Sequence, residues 1–129
     1  MNTDDLIARA TGVRENACAD YSHYKVGAAL LASSGKAYTG CNVENSTYGL
    51  TVCAERVALW KAFPEGERTF THIAVVTSSN PPASPCGACC QVLWEFCGDI
   101  GVILANTQGH RKALRLAEIF PRPFDRGSL

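Results

Sequence analysis

Lys25-Val26-Gly27-Ala28-Ala29-Leu30-Leu31-Ala32 is a continuous run of small apolar residues behind one lysine, and it predicts a buried strand over 25–32. Ser33-Ser34-Gly35-Lys36 follows as a turn, and 37–43 returns as the hairpin partner. Towards the N-terminus, Thr3 reads as an N-cap with acids in the first turn, opening a helix over 3–19. Leu6, Ile7, Ala10, Val13 and Ala17 give that helix its apolar stripe, although Gly12 weakens it. Towards the C-terminus, a polar loop over 44–50 leads to a helix over 51–63, ended by Pro64 and Gly66. A third strand is expected over 72–77, then a proline-containing loop over 79–84. Ser84 as N-cap and Pro85 at the first helical position open a third helix. Strands over 101–105 and 111–116 flank the turn Thr107-Gln108-Gly109, and a helical turn over 117–120 precedes a tail containing Phe124. The order α-β-β-α-β-α-β-β-α, free of repeats, predicts one α/β domain over 1–129. In it, a mixed five-stranded sheet forms the middle of a three-layer α/β/α stack.

Twelve basic and twelve acidic residues cancel, so no net field draws the chain to nucleic acid or to an anionic membrane. No apolar run approaches the roughly 20 residues of a membrane span. Met1-Asn2-Thr3-Asp4-Asp5 lacks the basic-then-apolar layout of a signal peptide, so a cytoplasmic location is expected. Seven cysteines are odd in number and many for this length, which does not suit a secreted disulfide scaffold. In a reducing compartment thiols serve instead as core filler, metal ligands or nucleophiles.

Two segments carry chemistry: Thr51-Val52-Cys53-Ala54-Glu55-Arg56 and Ser84-Pro85-Cys86-Gly87-Ala88-Cys89. Both are expected in first helical turns, where the positive dipole end favours thiolate, the form that binds zinc. Cys86 and Cys89, three apart, can grip one ion, and Cys53 supplies a third ligand from the facing helix. Three protein ligands leave one position open, which marks a catalytic rather than a structural zinc. The open position holds a water whose pKa zinc lowers to about 7. Glu55 can take a proton from that water and deliver it to the ring nitrogen and the leaving amine. Three thiolates and Zn²⁺ leave one negative charge. Arg56, three residues from Cys53, can balance it by donating to sulfur. The pair matches the signature of zinc deaminases, H-x-E…P-C-x-x-C, in its three-cysteine variant.

On these residues the chain resembles the small, homotetrameric class of cytidine deaminases. Tyr21-Ser22, Val26-Gly27-Ala28-Ala29 and Gly40-Cys41-Asn42-Val43-Glu44-Asn45 extend the likeness, as do Gln91, Phe120-Pro121 and Phe124. The resemblance implies that cytidine and deoxycytidine are deaminated to uridine and deoxyuridine, with attack at C4 and one Zn²⁺ per subunit. It implies that Asn42 and Glu44 hold the ribose hydroxyls, and that Ala54 and Glu55 read the base edge, with Tyr24 near the base. Tyr48 and Phe124 would be donated by neighbouring subunits of a homotetramer. Tyr24 stands where the family commonly has phenylalanine, Ser46 replaces a usual alanine, and Cys90 replaces a usual arginine.

Blander readings compete at several positions. Cys86, Cys89, Cys90, Leu93, Trp94 and Cys97 also form an amphipathic stripe, and core filler is the reading for Cys18, Cys41, Cys90 and Cys97. A closed four-cysteine site including Cys90 is opposed by geometry, because adjacent helical residues point about 100° apart. His23, His72 and His110 have no ligand spacing and read as surface or loop residues. Three alternatives to the deaminase of ordinary cytidine remain. They are zinc chemistry on another aminopyrimidine nucleoside such as blasticidin S, a non-enzymatic zinc module, and a polynucleotide deaminase. Balanced charge weighs against the last.

Overall fold

The computed structural model describes all of residues 1–129. The strands β1 (Gly27–Ala32), β2 (Ala37–Cys41), β3 (Phe70–Thr77), β4 (Gly101–Asn106) and β5 (Arg111–Arg115) form one sheet in the order β2-β1-β3-β4-β5. Only β3 and β4 run parallel, so the sheet is mixed, as expected. Its residues alternate between two cores. Ala28, Leu30, Ile73, Val75, Val102 and Leu104 face one side, while Ala29, Ala74, Val76, Ile103 and Ala105 face the other. Both faces are covered, which is why β1, β3 and β4 read as unbroken apolar runs.

Helix α1 (Thr3–Arg14) covers the second face with Leu6 and Ala10. Helices α2 (Ala54–Ala62) and α3 (Gly87–Cys97) cover the first with Ala54, Ala58, Leu59, Cys90 and Leu93. Two glycines let these helices lie close to the sheet. A Cβ on Gly27 would sit 1.9 Å from the carbonyl oxygen of Ala10, and one on Gly40 would sit 2.4 Å from that of Ala54. The second contact sets the first turn of α2 against β2 and thereby fixes where Cys53 and Glu55 stand.

Several boundaries differ from expectation, each set by a particular hydrogen bond, two of them local and two between segments distant in the chain. The α1 cap is Asn2, not Thr3: the Asn2 side chain accepts from Asp5 N at 2.8 Å and the Asp5 carboxylate accepts from Asn2 N at 3.1 Å. The helix ends at Arg14 rather than near 19, and Cys18 N turns away to Asn42 O at 2.9 Å. Cys18 is therefore exposed and not in the core, while Cys41 is half-buried. Val52 exchanges two 3.0 Å backbone bonds with Val43, so 51–53 is extended and α2 starts only at Ala54, with Cys53 as its N-cap. The first bond of α3 runs from Cys90 N to Cys86 O at 2.9 Å, which makes Cys86 the N-cap in place of Ser84.

The last short helix, α4 (Leu116–Ile119), is anchored by Asp99. One carboxylate oxygen accepts from Ala117 N at 2.8 Å and the other from Arg115 Nε at 2.9 Å. The Arg115 guanidinium, then the Ala117 N–H, hold the Asp99 carboxyl below its ordinary value. A depressed folded pKa stabilises above the unfolded pKa and is lost as pH falls through the folded one. Asp99→Asn should therefore lower the melting temperature at pH 7. Its deficit against the unmodified protein should shrink below about pH 4. Thermal melts at both pH values check this, and a constant deficit would contradict it.

Candidate active site

Two helix starts converge at the carboxyl end of β3. Cys53 caps α2, Cys86 caps α3, and Cys89 lies in the first turn of α3. Their three Sγ atoms lie within 4.8 Å of one another, and those of Cys53 and Cys86 are 3.9 Å apart. Neither helix has a side-chain cap, so the positive ends of both point at the sulfur cluster without a competing acceptor. Arg56, one turn into α2, donates from Nη2 to Cys53 Sγ at 3.3 Å, and its Nε is buried without a partner.

Charge in the cluster concentrates on Cys53. The S–H of Cys89, the Arg56 guanidinium and the S–H of Cys86 all stabilise its thiolate and pull its pKa down to about 5 against the opposing effect of burial. Cys89 is pushed up, first as donor to Cys53 and then by its own burial. Three sulfurs this close cannot all ionise unless a cation lies among them. A dication there would leave one net negative charge on the three thiolates, matching the one guanidinium that Arg56 supplies. The donor set thus fits zinc, with three thiols and room for a fourth ligand on the cavity side.

Beside the sulfurs opens a cavity of about 290 Å³. Glu55 lines it next to Cys53 and Cys86 and is only 4 % exposed. Burial pushes its carboxyl up to about 7, and the Cys53 charge adds to the rise. Asn42 and Glu44 line the same cavity. Asn42 Oδ1 accepts from Val26 N at 2.8 Å, and its Nδ2 donates to Tyr24 O at 2.9 Å and to Glu44 Oε2 at 3.3 Å. Glu44 Oε1 accepts from Tyr21 N at 3.1 Å and Ser22 N at 2.9 Å, while Oε2 accepts the Ser22 hydroxyl. The Ser22 hydroxyl, followed by its N–H, holds the Glu44 carboxyl below its ordinary value. Both side chains are fixed before anything binds.

Cys53, Ala54, Glu55, Cys86, Asn42, Glu44 and Tyr24 thus line one cavity, and Cys89 completes the sulfur cluster behind it. Tyr48 and Phe124 do not reach it from their own chain. Tyr48 is 74 % exposed and packs edge-on against Tyr21, with ring centroids 5.8 Å apart. Phe124 is 62 % exposed on a tail held by Gln91 Nε2, which donates to its carbonyl oxygen at 2.6 Å. Cys90 lies outside the sulfur cluster. It is buried against the first core, its S–H donates to Pro85 O at 3.6 Å, and burial raises its pKa. A four-cysteine ligand set is therefore excluded, and the core reading of Cys90 holds. Cys97 packs half-buried on the same core, and burial pushes its thiol up to about 12. Sequence reasoning missed Ser22 as the anchor of Glu44 and Ser79 as the partner of Tyr24. Serines in polar segments carry no spacing signal that would single them out.

A buried carboxyl set between a three-sulfur metal site and a pocket of small-molecule size defines a metal-dependent hydrolase. The family description "Cytidine and deoxycytidylate deaminase zinc-binding region" matches residues 1–105, and the chain belongs to this family. Its cofactor is zinc. A cytidine deaminase of Sporosarcina psychrophila is 46 % identical, with 100 % of this chain and 96 % of that protein covered. A second, from Halalkalibacterium halodurans, is also 46 % identical over 96 % of this chain and 95 % of its own length. The crystal structure of cytidine deaminase from Burkholderia pseudomallei superposes with a TM-score of 0.92 at 45 % identity, covering 96 % of this chain and all of that one.

Proposed function

We propose that this chain hydrolyses the 4-amino group of cytidine and deoxycytidine, giving uridine or deoxyuridine and ammonia, as a step of pyrimidine salvage. One observation carries the reading. The cavity is lined both by the buried Glu55 carboxyl with Cys53 and Cys86 and by the pre-set Asn42–Glu44 amide–carboxylate pair, which suits a base joined to a sugar. Cys53, Cys86 and Cys89 would hold the zinc, which when bound supplies a Lewis acid able to activate water at neutral pH.

The protein's own groups do the rest. Asn42 Oδ1 has one acceptor position left, and Glu44 presents a carboxylate that would take a sugar hydroxyl by exchanging it for the Ser22 hydroxyl or Asn42 Nδ2, so both favour hydroxyl donors. They orient the sugar and with it the base. The backbone of Ala54 reads the polar edge of the pyrimidine alongside Glu55. Glu55 takes a proton from the attacking water and delivers it to the ring nitrogen. It then takes the remaining hydroxyl proton from the tetrahedral adduct and passes it to the amine, which leaves as ammonia. The carboxylate returns to its starting state. Burial lets Glu55 serve as both base and acid, since a fully solvated carboxylate would hold its proton too weakly. Arg56 positions Cys53 and balances the sulfur charge.

We further propose that residues 1–129 act as a single domain in a cytoplasmic homotetramer. Tyr48 and Phe124, turned outward from their own cavity, would close a neighbour's. No helix is long and apolar enough to cross a membrane. A substrate panel on protein of known sedimentation mass tests these readings together. Turnover is expected for cytidine and deoxycytidine at tetramer mass, with little for cytosine, adenosine, blasticidin S or single-stranded DNA. Preference for blasticidin S or for a polynucleotide would overturn the substrate, and full turnover at monomer mass would overturn the shared site.

A further inference from the structure

Tyr24 is tied down three ways, and the third tie has no part in the roles assigned above. Its backbone N donates to Ser22 Oγ at 3.0 Å, and its backbone O accepts from Asn42 Nδ2 at 2.9 Å. Those two bonds make Tyr24 part of the wall that holds Asn42 and Glu44. Its phenolic oxygen crosses to Ser79 Oγ at 2.6 Å, 55 positions along the chain, and the contact is part-buried.

Ser79 is itself anchored on the sheet. Its N–H donates to Thr77 Oγ1 at 3.1 Å, and its carbonyl accepts from Asn106 Nδ2 at 3.0 Å. Thr77 and Asn106 are paired in register at the ends of the parallel strands β3 and β4, and both are buried. Beyond Ser79, the chain runs through Pro81 and Pro82 to Ala83 and Ser84, which line the cavity, and then through Pro85 to Cys86. Three prolines in this short arm restrict φ along it, so a displacement at Ser79 carries to the cavity wall instead of dissipating.

We propose that the Tyr24–Ser79 hydroxyl pair is a strap across the cavity, setting the separation between the sugar-side wall and the loop that leads to Cys86. Tyr24 and Ser79 act through it as positioning residues for substrate affinity. The inference rests on the nucleoside reading of the cavity for its kinetic consequence, but not for its structural one. The hydroxyls touch neither Glu55 nor the sulfurs, so loosening the strap weakens ground-state and transition-state binding alike. Such a loss raises KM and leaves kcat nearly unchanged.

The test uses zinc-loaded, full-length protein in four forms: unmodified, Tyr24→Phe, Ser79→Ala and the double variant. Each is measured for cytidine kinetics and for hydrogen exchange at the amides of Tyr24 and Ser79, each of which donates to a side-chain oxygen. Each single variant should raise KM roughly two- to tenfold, the span of one lost hydrogen bond. The double variant should add almost nothing further, because both substitutions remove one shared interaction. Exchange should quicken at those two amides by a similar factor in all three variants, and Ser79→Thr, which keeps the hydroxyl, should restore slow exchange and low KM. Unchanged exchange in both single variants would overturn the strap, as would additive effects on KM or a fall confined to kcat. An unmodified protein that fails to turn over cytidine would contradict the proposed function instead, and the exchange measurement would still decide whether the strap exists.

Discussion

Glu55→Ala is expected to retain zinc at the level of the unmodified protein while kcat falls by about 10³- to 10⁴-fold, the upper part of what a positioned acid–base group contributes. Its carboxyl is not needed as a ligand, because the three sulfurs already lie within 4.8 Å of one another without it. The carboxyl moves two protons in the same turnover, so removing it affects both attack and departure. Glu55→Gln separates shape from proton transfer. It keeps the volume of a side chain that is 4 % exposed, yet cannot ionise, and should be nearly as inactive as the alanine variant. Metal content and single-turnover rates on each protein check the prediction. Zinc loss equal to the loss of rate would reassign Glu55 to holding the metal.

The second large effect is expected at Cys53. Its sulfur is the one that Arg56 grips: Nη2 donates to it at 3.3 Å, and Cys86 Sγ approaches to 3.9 Å. Cys53→Ala removes one of three ligands, and it strands a guanidinium whose Nε is already buried without a partner. Zinc content should fall to trace levels on mild chelation, and turnover should become undetectable. Cys90→Ala is the informative contrast. Cys90 is more deeply buried than Cys53 and adjacent in sequence to Cys89, but its thiol donates to Pro85 O, away from the cluster. This variant should lose some stability to the small void and keep its zinc. Zinc lost equally from both variants would revive a four-sulfur site.

Much of this could be read along the chain, because the relevant signals are local or periodic. The unbroken apolar run of β1 and the alternation of strands with helices follow from burial on both faces of one sheet. The spacing of Cys53 with Glu55, and of Cys86 with Cys89, is chemistry written at short range. What was not legible depends on partners distant in the chain. Val43 holds Val52 extended and delays α2 to Ala54, and Asn42 O draws Cys18 N out of α1 and its side chain into solvent. Both shift a helix end, and the first of them bears on the site. Moving the helix starts to Cys53 and Cys86 brings these cysteines to the cap positions, where two dipole ends meet. The Tyr24–Ser79 contact spans 55 positions between two residue types with no shared pattern, and only the folded chain brings it together.

A deaminase centre built from the three-sulfur cluster and Glu55 must hold zinc and turn over cytidine together. It is tested most directly by measuring zinc and cytidine deamination on the same purified sample, before and after chelation and after zinc is returned. One zinc per chain is predicted, with ammonia and uridine formed in equal amounts. Activity should fall in proportion to the zinc removed and recover with its return. Full zinc occupancy without cytidine turnover would contradict the account, as would turnover that persists once the zinc is gone.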